Sequence, residues 1–215
     1  MSEKIQQKYS LTCSNCNEET TYLRNGLCLE CYFILNSPTK VSNISWIFLP
    51  APRRFDTLKK SNKASTIKED VAENIINKNY TIDKNNSIIK IGSQSFSFNV
   101  VGIDKLAYET GILIGKWLIY RDELEIDDLW AKIGKSLLKG KLGVSAKVST
   151  AYSKSKRYVI CVYTYNYLDI EDVEKVRKEL LFLGVEETLC YKPDIYTYLN
   201  IYSGKSTISP CRHKK

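Results

Sequence analysis

The chain has 215 residues, 43% of them hydrophobic, and a formal net charge of +8. That length holds one full hydrophobic core and a small accessory module, and no window approaches the apolar run that a membrane span needs. The opening residues Met1 to Lys8 lack the apolar stretch of a signal peptide, so a cytoplasmic location is the expectation. The positive excess sits in two blocks: residues 37–64 carry six Lys and Arg against one Asp, and residues 126–157 carry eight against two Asp. A concentrated positive field attracts polyanions, which points to nucleic acid; lysine faces that only keep the protein soluble are the plain alternative.

Residues 1–36 hold Cys13-Ser14-Asn15-Cys16 and, after eleven residues, Cys28-Leu29-Glu30-Cys31. Each pair makes a tight turn with two thiolates, and two such turns close a tetrahedron around zinc. Thr20 to Leu23 and the Asn25-Gly26 turn suit a short hairpin that folds the second pair back onto the first. So short a segment buries too little apolar surface to fold unaided, and a structural zinc held by Cys13, Cys16, Cys28 and Cys31 is expected to supply the stability. Disulfides among these four need an oxidising compartment, a redox pair normally occurs once, and a catalytic zinc leaves a coordination position open.

Residues 37–64 read as a basic, proline-containing arm or linker. Prolines flank the apolar patch Ile44-Ser45-Trp46-Ile47-Phe48-Leu49, and Arg53, Arg54, Lys59, Lys60 and Lys63 follow it. Trp46 and Phe48 are candidates for base stacking, although packing against the neighbouring domain is the commoner use of such a pair. From residue 65 the pattern becomes regular. Thr66 to Glu69 is a capping box opening a helix with Ile67, Val71 and Ile75 on one face. Strands are predicted at 87–91 and 95–101, a short helix at 104–109, a strand at 112–120, and a helix capped by Asp127 that buries Leu129, Ile133 and Leu137. Gly140 serves as its C-cap. Strands at 143–149 and 158–164 enclose the polar loop 152–157. Asp169 and Asp172 cap a helix stopped by Gly184, strands follow at 187–191 and 195–202, and residues 204–215 form a basic tail.

Several of these runs, in this order, resemble the cap-binding translation initiation factors: Gly115-Lys116-Trp117-Leu118-Ile119, Leu129-Trp130 on the next helix, Ser145-Ala146-Lys147-Val148, a basic loop, and Val159-Ile160-Cys161-Val162-Tyr163. Those factors carry a Gly-Arg-Trp-Leu-Ile strand, a helix containing Phe-Trp, and a basic loop. The run from Tyr191 to Tyr202 is more similar to the family typified by the basophilic-leukaemia-expressed protein, whose fold is similar to theirs. The resemblance covers residues 65–203. It implies an α+β domain: a curved antiparallel sheet with two or three helices on one face, in which Trp117 and Trp130 are core residues. It also makes Lys154, Lys156 and Arg157 the counterpart of a phosphate-contacting loop. Region 104–111 offers Tyr108 where cap binders carry a Trp, so binding of RNA backbone is expected rather than cap recognition.

Enzymatic readings find little support. The sole histidine, His213, lies in the tail. Gly134-Lys135-Ser136 and Gly204-Lys205-Ser206 lack the earlier glycine of a phosphate-binding loop, Leu129 and Leu199 standing in its place. Asp122, Glu123, Glu125, Asp127 and Asp128 fit helix capping better than a metal site. Cys161 and Cys190 read as small core residues. The expectation is thus a non-enzymatic RNA-associated protein, with rRNA and ribosomal or translation proteins as partners and neither membrane nor small-molecule substrate. Its contacts would be Arg53, Arg54, Lys59, Lys60, Lys139, Lys141, Lys154, Lys156 and Arg157. The alternatives are a protein-interaction adaptor using the zinc module and the Trp46 patch, and a nucleotide or small-ligand binder.

Overall fold

The computed structural model describes residues 11–20, 24–52, 68–85 and 87–215, which form eleven strands and six α-helices. The N-terminal module is a minimal hairpin of β1 (Leu11–Thr12) and β2 (Glu19–Thr20) that brackets the first cysteine pair. A tight turn follows at Asn25-Gly26, both at positive φ and closed by the Arg24–Leu27 bridge. Next come the short helix α1 (Leu29–Leu35) and, after a turn at 37–40, strand β3 (Trp46–Pro50).

Within residues 37–64, read as an arm or linker, Trp46 to Pro50 form strand β3 of the main sheet. Its residues alternate in burial, with Ile47 and Leu49 turned inward and Trp46 and Phe48 exposed, which is the period of a half-buried strand. The flanking prolines do not oppose this, because β3 is an edge strand and Pro50 ends it. Residues 53–67, with Arg53, Arg54, Lys59, Lys60, Lys63, Thr66 and Ile67, lie outside the described residues, as do Thr21 to Leu23 of the hairpin expected between the cysteine pairs. The predicted helix after residue 67 is α2 (Glu69–Ile76), whose Val71 and Ile75 are buried.

Three short strands, β4 (Thr81–Asp83), β5 (Ile88–Ile91) and β6 (Gln94–Ser97), form a separate antiparallel sheet packed against α2 and α3 (Val100–Thr110). The strand expected at 95–101 stops at Ser97 because Asn99 caps α3, its side chain accepting the Gly102 N–H at 2.8 Å. Strand β7 (Gly115–Arg121) leads into α4 (Ile126–Leu138), then β8 (Ser145–Ser149), β9 (Tyr158–Thr164) and α5 (Ile170–Phe182). Asp127 does not cap α4. Asp122 accepts the amides of Leu124 and Glu125, leaving Asp127 to accept the backbone N–H and hydroxyl of Thr39. Gly140, at φ +70°, ends α4 as expected, and Asp169 caps α5 through the Asp172 amide.

The last elements are β10 (Cys190–Pro193), α6 (Asp194–Tyr198) and β11 (His213–Lys214). The strand expected at 195–202 is a helical turn instead. Pro193 presets its start and Asp194 opens it, while Ile195, Tyr196 and Leu199 are buried at helical spacing despite their tyrosine-rich, strand-like composition. The tail is held too: β11 pairs with β10, and Cys211 forms a disulfide with Cys190, which is therefore not a plain core residue.

The main sheet runs β11-β10-β7-β9-β8-β3, antiparallel throughout, so the fold is the α+β arrangement expected, with helices covering one face. Trp117, Ile119, Ile160, Val162, Ala146, Val148 and Leu49 leave that face at 0% exposure. They meet Leu129, Trp130, Ile133 and Leu137 of α4 and Val173, Val176 and Leu180 of α5. Burying each large aliphatic side chain stabilises by about 1.5–3 kcal/mol, so this layer dominates the stability. Trp117 and Trp130 are core residues as anticipated, and the Trp117 indole donates to the Val173 carbonyl at 3.2 Å.

The zinc-type module joins the domain through one notch. A Cβ on Gly134 would lie 2.2 Å from Phe33 Cζ and 3.2 Å from Leu49 Cδ2, so the missing side chain admits the Phe33 ring, which meets Trp130 edge-on at 6.4 Å. Gly134→Ala is expected to lower the unfolding free energy by roughly 1–3 kcal/mol through overpacking, even though alanine favours the helix by about 1 kcal/mol. Urea denaturation checks this, and an unchanged or raised stability would contradict the notch.

Candidate metal centre and open sheet face

The four module cysteines converge. Their Sγ atoms all lie within 4.8 Å of one another, and those of Cys16 and Cys28 are 3.8 Å apart. Ligands ~2.3 Å from a tetrahedral zinc stand about 3.8 Å from each other, close to the spacing of this donor set, so the cluster is compatible with such an ion. Local backbone orients the sulfurs: the Cys28 N–H donates to Cys13 Sγ at 3.2 Å, and the Asn15 side-chain amide donates to Cys31 Sγ at 3.3 Å. The Cys28 amide, with that of Cys16, draws the Cys13 thiol down to about 6. Cys16 goes the other way, to about 12, because desolvation and the neighbouring sulfurs outweigh the Glu18 amide that favours its thiolate. A cation is what makes four adjacent thiolates compatible.

Cys31 is also the third residue of α1, next to Tyr32 and Phe33, so the cysteine cluster continues directly into the contact with α4. Glu30 pairs with Lys135 of α4 across the same junction.

The second candidate is the face of the main sheet turned away from α4 and α5, which is exposed at its β3 side and at Tyr120 but buried at Cys161, Tyr163 and Lys192. One register row crosses all six strands: Phe48, Lys147, Cys161, Leu118, Cys190 and Lys214. A parallel row holds Pro50, Ser145, Tyr163, Lys116 and Lys192. Cross-strand partners share a face, so this surface interleaves cations with aromatic rings. Lys147 Nζ stands 4.2 Å from the Trp46 ring centre, Lys116 Nζ 5.4 Å from Tyr163, Lys192 Nζ 3.6 Å from Tyr202, and the Arg157 guanidinium 5.4 Å from Tyr120. Trp46, Phe48, Tyr120 and Tyr202 are 39%, 57%, 47% and 41% exposed, enough to offer ring faces to a ligand. Lys116 is partly neutralised by Asp194, and Lys192 donates to the Ile201 carbonyl at 2.8 Å. Burial, seconded by Lys116, pushes the Lys192 ammonium down to about 8.

The basic residues singled out in the sequence do not make one patch. Lys154, Lys156 and Arg157 are exposed in the loop between β8 and β9, and Arg157 joins the open face through Tyr120. Lys139 and Lys141 lie beyond the opposite end of β8. Lys141 stacks on Phe182 of α5 instead, beside an open groove of about 840 Å³ lined also by Ile170, Glu171 and Glu174. Lys116, Lys147 and Lys192 were missed because each reads as an ordinary strand residue. The available signal was alternation: Lys116, Leu118 and Tyr120 occupy the positions between the buried Gly115, Trp117 and Ile119.

The chain is thus an α+β protein with one antiparallel sheet face turned away from α4 and α5 and a four-cysteine module docked on its helical layer. Residues 37–200 match the family of the basophilic leukemia-expressed protein Bles03, and the chain belongs to that family. Solved structures that resemble it include Ascaris suum eIF4E-3 with m7G cap, at 15% identity over 48% of this chain and 57% of that one, with a TM-score of 0.36. A schistosome eIF4E complexed with m7GpppA and 4E-BP matches at 15% identity over 47% of this chain and 58% of that one, with a TM-score of 0.35. The chain spans a little over half the length of these structures, and the likeness concerns part of the fold alone.

Treatment with a strong chelator, or Cys16→Ser, is expected to loosen α1 and shift the tryptophan emission to which Trp130 contributes. Elemental analysis with fluorescence checks this. Protein purified without metal, or emission that does not respond to the chelator, would remove the metal centre from consideration.

Proposed function

We propose that this protein is a non-enzymatic, cytoplasmic RNA-associated protein that holds single-stranded RNA against the open sheet face, with a structural zinc in the four-cysteine module. The supporting observation is the lattice of exposed rings and lysines around Trp46, Lys147, Tyr120 and Arg157. Bases stack on aromatic faces with little regard to sequence, and phosphates seek cations at short range, so alternation of the two suits an unpaired strand. Lys154 and Lys156 extend the positive rim from the β8–β9 loop. The finer form of this reading places the RNA in a ribosomal or translation assembly, where extended basic segments make backbone contacts. Arg53, Arg54, Lys59 and Lys60 belong to that form of the reading through their charge.

Fluorescence anisotropy with a labelled single-stranded RNA tests the face. Trp46→Ala or Tyr120→Ala should weaken binding roughly five- to a hundredfold with melting temperature little changed. Charge reversal at Lys154, Lys156 and Arg157 should reduce the steepness of the salt dependence by about 0.7 in log–log slope for each phosphate no longer neutralised. An absence of salt-dependent RNA binding, together with failure to sediment with ribosomal particles at low salt, would end this reading.

A further inference from the structure

Cys190 lies on the open face, in the row with Leu118 and Lys214, and is bonded to Cys211 across 21 positions of sequence, their Cα atoms 5.1 Å apart. The bond closes a loop containing β10, α6, Tyr202 and the segment 203–211. That segment is largely exposed and leans on the domain through the half-buried Ile208. Its hydrogen bonds are local: Lys205 N–H to the Tyr202 carbonyl, Ile208 N–H to Ser206 Oγ, and Cys211 N–H to Ser209 Oγ. Residues beyond Cys211 have other fastenings. Arg212 pairs with Asp104 at 2.7 Å and donates its N–H to the Tyr191 carbonyl, and the Lys215 carbonyl accepts from Leu189 N and Arg177 Nε. The disulfide thus ties the far end of the exposed segment to the sheet beside the Arg212 contacts, and Tyr202, which covers Lys192, is the residue at its near end.

Both cysteines are only half-buried, so a small thiol or disulfide can reach them. The same chain gathers four further thiols in a metal-type cluster that works only when reduced. A disulfide that coexists with such a cluster suits a bond that opens and closes better than a permanent staple. We propose that Cys190 and Cys211 are a reversible thiol switch. In the disulfide form the 203–211 strap is pinned and Tyr202 is fixed on the open face; in the dithiol form both are loosened. The consequence for RNA rests on the function proposed above. Closure proceeds by exchange with a glutathione-type disulfide. One protein thiolate attacks it and releases one small thiol, and the second thiolate attacks the mixed disulfide and releases the other. Two protein thiols and one small disulfide thus yield the Cys190–Cys211 bond and two small thiols.

The experiment uses the full metal-loaded chain poised with reduced or oxidised glutathione, followed by hydrogen exchange and by anisotropy with labelled oligouridine. Reduction should speed amide exchange in residues 202–211 about tenfold while β7 and β9 stay protected. It should also weaken oligouridine binding about fivefold. The Cys190→Ser, Cys211→Ser double variant should behave as the reduced form in both buffers, which separates this pair from the metal-cluster thiols. Equal strap exchange in the two buffers, or a double variant that still responds to oxidation, overturns the switch. If oligouridine binds in neither state, the RNA function falls, and the exchange comparison alone upholds or overturns the strap.

Discussion

The fold depends on the pairing of β7 with β9, seven residues against seven from Gly115–Thr164 to Arg121–Tyr158. These are the middle strands of the sheet, and their period-two alternation divides every neighbouring residue between two environments. Trp117, Ile119, Ile160 and Val162 face the helices, while Lys116, Leu118, Tyr120 and Cys161 face away. A slip of one residue would place Lys116 and Tyr120 beneath α4 and α5 and bring Trp117 into water. The cost of that exchange fixes the register, and the register in turn assembles the rows of cations and rings on the open face.

A second dependence links the four-cysteine cluster to the domain. The cysteine module buries little apolar surface of its own, yet Phe33 occupies a notch whose other walls are Leu49 and Trp130. Phe33 is two residues beyond Cys31, on the same short helix. A helix of seven residues is not stable alone. Its first turn carries the second cysteine pair and its later residues pack on α4, so an ion held by the four cysteines would support that packing and be supported by it. The Glu30–Lys135 pair is exposed on its acidic side and adds little beside these.

Much of this was legible in the sequence, and the failures have physical causes. The C-x-x-C pairs, the strands at β7 and β9, the amphipathic α4 and α5, their glycine stops and the buried tryptophans all follow from spacing and periodicity. Prolines on both sides disguised β3, because an edge strand tolerates what a central strand does not. Strand-like composition disguised α6, where the constraint from Pro193 and the burial of Ile195, Tyr196 and Leu199 prevailed. The Cys190–Cys211 pairing had no local signal, since the two cysteines are 21 residues apart in sequence. The open face was hidden for a related reason: Trp46, Lys147, Tyr163 and Lys116 come from four strands, and only the pairing order makes them neighbours.

That neighbourhood also determines which ligands the face suits. In the free protein Lys147 lies over Trp46, and Arg157 over Tyr120. Such contacts at exposed positions are worth about 0.5–1 kcal/mol each, so they order the side chains without locking them. Stacking a base on an aromatic ring is worth about 1–3 kcal/mol, and the displaced cation regains its interaction at the adjoining phosphate. A ligand with planar bases and regularly spaced charges therefore replaces each internal contact with a stronger pair. An acidic peptide supplies the charge but no ring, and an apolar surface leaves the cations without partners. On the function proposed above, the interleaving of the two residue types thus favours an unpaired nucleic acid strand over either.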